Sequence, residues 1–132
     1  MATSLQRFGK KCEVFNDLDL MAILYLADLE VASRPSNYLT ISATLTKWKQ
    51  RLMTYGPGTI DLNLNELSSS NNAIPELIEI LDTVNANLEK FGHAVPASIL
   101  NQQCNAPGVR FFEYPTSLLR PAITRLRQLL TE

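Results

Sequence analysis

Apolar residues occupy nearly every side of a helical wheel drawn through Leu18–Ala32. That pattern belongs to a helix buried over most of its circumference. Asp17 and Asp28 fall along one line of the wheel, and Asp19 and Glu30 along roughly the opposite one. Asn16 and Asp17 are suited to cap the start, and Arg34-Pro35 marks the end, because proline disfavours helix at the residue before it. Tyr38, Ile41, Leu45, Trp48 and Leu52 then recur at steps of three and four. They predict an amphipathic helix, capped by Ser36 or Asn37 and stopped by the turn Tyr55-Gly56-Pro57-Gly58. Leu77, Ile78, Leu81, Val84, Leu88 and Phe91 form a second stripe, with Pro75 in the first turn and Gly92 as the stop. A short helix is expected from Pro96–Leu100, fading by Asn101 to Asn105. The last helix, Ser117–Leu130, places Leu119, Ala122, Ile123, Leu126 and Leu130 on one side. Pro121 is expected in or near its first turn, because an interior proline costs about 3 kcal/mol.

Strand signals are weaker. Ile60, Leu62 and Leu64 alternate with Asp61, Asn63 and Asn65, although Asn and Asp are poor strand formers; a short strand and one helical turn both fit. Val109–Tyr114 is rich in β-formers and ends at Pro115. Ser68 to Asn72 reads as a polar loop. The expected fold class is mainly α: a compact helical domain of four to six helices with room for a small two-stranded β element. It spans 1–132 as a single domain, with 1–11 as a flexible end.

Composition narrows the function classes. The 132 residues are 45% hydrophobic and 19% charged, which excludes disorder over the whole chain. A domain of this size buries roughly two thirds of its unfolded surface and needs no metal or disulfide to fold. Twelve basic residues against thirteen acidic ones give a net charge of −1, unlike the basic excess of dedicated nucleic-acid binders. The longest apolar run, Leu20 to Ala27, is far shorter than the roughly twenty residues of a membrane span. The opening residues carry Arg7, Lys10 and Lys11 without an apolar stretch, so no secretory signal is expected. Cys12 and Cys104 are expected to be reduced thiols of a cytoplasmic protein.

Few residues suggest catalysis. His93 is the single histidine, so any serine or cysteine triad must use it; Cys104 is the thiol nearest to it in sequence. No nucleophile-elbow or P-loop spacing occurs, and Gly56-Pro57-Gly58 reads as a turn. One Cys/His set cannot supply the four ligands of a structural zinc. Lys47-Trp48-Lys49-Gln50-Arg51 interleaves bases with an aromatic, but its period turns Trp48 inward with Leu45 and Leu52. The expectation is therefore no cofactor, no metal, no membrane and no direct nucleic-acid contact.

Charge is sorted in blocks. Residues 1–11, 12–33, 34–60, 61–89 and 90–132 sum to +3, −5, +4, −6 and +3. The blocks either pair across the fold or leave an acidic surface for a cationic partner, with Glu76, Glu79, Asp82 and Glu89 on the middle helix and Asp61 and Glu66 before it. Complementary potential of that kind speeds association and fixes specificity. The expected function is a non-enzymatic protein-binding module for a basic protein. Its sharpest form is a bacterial, cytoplasmic immunity protein that neutralises a toxin such as a nuclease domain. That guess rests on build alone: small, single-domain and slightly acidic. The alternatives are a small enzyme using His93 or Cys104, and an oligomerising structural subunit joined through the apolar final helix, where Leu118, Leu129 and Leu130 widen the stripe.

Overall fold

The computed structural model describes residues 2–131. The chain opens with an antiparallel hairpin, β1 (Thr3–Phe8) and β2 (Lys11–Asn16), and passes directly into α1 (Asp17–Ser33). A 3-10 turn at Pro35–Asn37 leads to α2 (Ser42–Leu52), and another at Leu64–Ser69 precedes α3 (Ala73–Asn87). After a third at Leu88–Phe91 come β3 (Ala94–Val95), α4 (Ala97–Gln103), β4 (Tyr114–Pro115) and α5 (Thr116–Leu130). The protein is mainly α. No helix among the described residues is long and apolar enough to cross a membrane.

α1 is the central helix, as its all-round apolar surface predicts. Every residue from Leu20 to Ala27 is buried, and α2, α3, α4 and α5 all pack on it. The Asn16 side chain accepts the Leu18 N–H at 2.8 Å and caps the start. α3 and α5 present the expected stripes to the same core. α2 begins later than expected. Pro35 diverts the chain into a 3-10 turn, so Tyr38 and Ile41 reach the core from outside the helix proper. The Glu76 carboxylate on α3 accepts the Thr40 and Ile41 N–H groups at 2.9 and 3.0 Å, serving as a cap delivered from another element.

Three further local expectations are corrected, and one open choice is decided. Of the 1–11 segment, Met1 lies outside the described residues, and residues 3–11 are not a loose end but most of a hairpin. Gly9 turns it at φ +60°, a backbone region that glycine enters without steric cost. Arg125 donates to the Val14 carbonyl at 3.0 Å and lies over the Phe15 ring, while Lys11 donates to the Gln128 and Thr131 carbonyls. The inner face of β1 carries Ser4 and Gln6, so no hydrophobic alternation announces it.

Of the two forms open to residues 59–67, the helical turn forms at Leu64–Ser69, and the 60–63 segment is extended but in no strand. Its backbone is met by side chains instead: Ser4 Oγ accepts Ile60 N–H, Gln6 Nε2 donates to the Ile60 carbonyl, and Gln6 Oε1 accepts Leu62 N–H. Asn63, at φ 49°, then ends the extended run, and asparagine tolerates that region better than most residues. Over Val109–Tyr114, only Tyr114 pairs, within the two-residue bridge to β3. Asn101 replaces a partner strand there, accepting Phe111 N–H at 2.8 Å and donating to its carbonyl at 2.9 Å.

Pro121 is the sixth residue of α5, inside the helix. It deprives the Ser117 carbonyl of its usual donor. Both residues are exposed, so water reaches that carbonyl.

Candidate functional site

Among the described residues, no side-chain hydrogen bond joins His93 to Cys104 or Cys12. His93 is exposed, and its recorded bonds use only its backbone carbonyl, which accepts Thr116 N–H and the Thr116 hydroxyl. Cys104 is half-buried, its Sγ directed at the Val109 carbonyl, and Cys12 lies exposed on β2. Tyr25 sits against the Cys104 segment, where its hydroxyl donates to Asn105 Oδ1 at 3.0 Å. Burial, followed by the contact with Cys104, pushes that phenol up. A cleft of about 290 Å³ lies beside Trp48, Arg51, Tyr55 and Ile60. The Trp48 indole N–H is already used on the Leu62 carbonyl at 2.9 Å. No group of three or more His, Cys, Asp or Glu side chains among the described residues could hold a metal ion.

Among the described residues, three ion pairs join the charge blocks. Asp28 pairs with Lys49 at 3.0 Å, Glu30 with Arg34 at 2.5 Å and Asp82 with Arg127 at 2.6 Å. Each joins an acidic block to the basic block that follows it in sequence. Asp17 is buried and accepts from the Ser4 hydroxyl and the Gly58 N–H. Asp19 accepts the Tyr114 hydroxyl, and burial together with that bond raises the phenol pKa.

The six acidic candidates therefore separate. Glu76 is occupied at the α2 start, and Asp82 is held by Arg127. Glu79 is exposed on the same helix, close enough to Arg34 to stabilise the guanidinium charge. Glu89 is exposed at the turn after α3. Asp61 and Glu66 lie elsewhere, on one wall of a groove of about 250 Å³ whose other wall carries Leu5 and Arg7 of β1. Glu79, Glu89, Asp61 and Glu66 have no ion-pair partner among the described residues. The α3 row is thus not one continuous free surface.

The surface feature missing from the sequence reading is Phe112, which is 83% exposed. The loop that carries it is fastened on both sides, after it by Tyr114, which pairs with Val95 of β3 and donates its hydroxyl to Asp19. Phe111 is buried edge-on against Tyr25 and Tyr114, with ring centroids 6.1 and 5.9 Å away, and its backbone is clamped by Asn101. Asn105 ties the loop's start to Tyr25 and to the Lys49 carbonyl. Arg110 and Glu113 flank Phe112 and are also exposed. Adjacent phenylalanines were the available signal: in extended chain, neighbours point to opposite faces, so only one of the pair can enter the core. Comparison with protein-family models, with curated proteins and with solved structures finds no match.

Proposed function

We propose that the chain is a non-enzymatic protein-binding module whose contact surface centres on Phe112. A lone exposed apolar residue is ordinary on a protein surface. Phe112 differs because its loop is tied down before it at Asn105 and Phe111 and after it at Tyr114, so little ordering is left to lose when it docks. Burying a phenylalanine in a partner's pocket yields roughly 2–3 kcal/mol, and aromatic residues are enriched in the buried centres of interfaces. Arg110 and Glu113 would supply a polar rim.

A basic partner fits the same reading. Asp61, Glu66, Glu79 and Glu89 remain without ion pairs among the described residues. A toxin-neutralising immunity protein acting on a nuclease domain in a bacterial cytoplasm is the sharp form of this proposal. Affinity capture from the native host, with wild type and Phe112→Asp as parallel baits, tests it. The expected result is a defined partner held by wild type and lost by the variant. Equal capture by both baits removes Phe112 from the function.

A further inference from the structure

We propose that the pocket between the end of α1 and the end of α3 binds one lysine side chain of a partner protein, with the ammonium on Glu30. This assignment rests on the reading of the chain as a protein-binding module but uses none of the residues that hold the Phe112 loop.

Glu30 stands in the last turn of α1 and is only 8% exposed. A buried carboxylate is stable only when its oxygens find donors. Oε2 is filled: it accepts from Arg34 Nε at 2.7 Å and from the Tyr38 hydroxyl at 2.6 Å. Oε1 accepts from no donor among the described residues. It is not sealed off either, since the sealed side-chain polar atom without a partner among those residues is Asn85 Oδ1. The pocket that Glu30 lines, about 160 Å³ in volume, offers the way to Oε1.

The chemistry of the pocket selects the occupant. Leu29 of α1, Val84 of α3, and Leu88 and Phe91 of the turn after it form apolar walls, with Ser33 and Asn87 among them. Lysine has the matching build, an apolar stem that ends in a compact ammonium. Arginine does not, because its fork is best met by two oxygens, and Oε2 is already taken by Arg34. An apolar side chain would leave Oε1 without a donor. The surrounding charge agrees. Arg34 balances Glu30, but Glu79 also acts on Arg34, so two carboxylates face one guanidinium. Asp82 is held by Arg127, and Glu89 and Lys90 on the Leu88–Phe91 turn offset each other.

The test titrates ¹⁵N-labelled full-length protein with capped lysine (acetylated at its amine and methylamidated at its carboxyl), with the equally capped norleucine and arginine, and with putrescine. Capped lysine should give saturable shifts of the Ser33, Asn87, Leu88 and Phe91 amides. Norleucine, which keeps the stem and lacks the ammonium, should bind about tenfold more weakly, the order expected for losing a hydrogen bond between charged groups. Arginine should be weaker than lysine as well. Glu30→Gln should weaken the lysine probe by a similar factor. Because Glu30 also holds Arg34 and Tyr38, a second variant keeps the fold intact: Ser33→Phe, at an exposed position of the lining, leaves the carboxylate in place and should abolish binding by covering the pocket. Absence of saturable shifts overturns the proposal. So does equal binding of norleucine or arginine, or binding to Ser33→Phe as tight as to wild type. Putrescine binding more tightly than capped lysine overturns it too, by making the pocket a site for a free amine. None of these outcomes bears on capture through Phe112, which the Asp-substituted bait tests alone.

Discussion

At the residue scale, stability depends on a few buried polar groups that compensate one another. Glu30 lies within the packed end of α1 and accepts from the Tyr38 hydroxyl at 2.6 Å and from Arg34 at 2.5 Å. Burial, then the bond to Glu30, pushes the Tyr38 phenol up to about 12. A pKa raised in the folded state means that the neutral hydroxyl contributes stability in full below the ordinary value of 10.0, and that this contribution fades as pH rises toward about 12. Tyr25 and Tyr114 are raised too and act in the same direction. Urea midpoints measured upward from pH 10 should therefore fall, and Tyr38→Phe should flatten part of that fall while lowering stability at neutral pH. An unchanged alkaline slope in the variant would place the titration elsewhere. Asp17 joins hairpin to loop by accepting from Ser4 and from the Gly58 N–H. Bonds to a charged acceptor are worth about 1.5–3 kcal/mol each, so Asp17→Ala should cost roughly 3 kcal/mol in chemical denaturation. A loss below about 0.5 kcal/mol, typical of surface changes, would show that Asp17 is not holding the two segments together.

At the element scale, legibility follows how each segment satisfies its backbone. α1, α3 and α5 bond internally, so the sequence only has to show where their apolar residues point. Leu20 to Ala27 show it on all sides, and Leu119, Ile123 and Leu126 on one. β1, the 60–62 segment and the Phe111 loop rely on Ser4, Gln6 and Asn101 from distant parts of the chain. A polar residue used that way looks the same in sequence as one facing water. The candidate site divides similarly. Glu76 and Asp82 sit on the expected helix, but sequence spacing does not reveal that Glu76 caps α2 or that Arg127 approaches Asp82 from 45 positions away. Pro121 is an exposed break in an otherwise regular α5. Pro121→Ala restores a donor for Ser117 and should raise stability by roughly 1–3 kcal/mol, read as a higher Tm. A lower Tm would show that the proline is needed where it stands.

At the scale of the whole molecule, three ion pairs join successive charge blocks, and carboxylates without an ion-pair partner among the described residues remain around the β1 groove and at Glu79 and Glu89. The apolar width of α5 is likewise used internally, since Leu129 and Leu130 are buried and Leu118 is the one exposed leucine of that stripe. An oligomerising seam along α5 therefore has little left to offer, and sedimentation should return the 14.8 kDa monomer mass at micromolar concentration. What the molecule displays outward is a fastened aromatic, Phe112, on a surface without a catalytic constellation among its described residues. The direct measurement is calorimetric titration of the captured partner into wild type and Phe112→Ala. Loss of about 2 kcal/mol of binding energy, roughly thirtyfold in Kd, is the predicted result. Affinity within twofold of wild type, with the variant folded, would contradict a contact centred on Phe112.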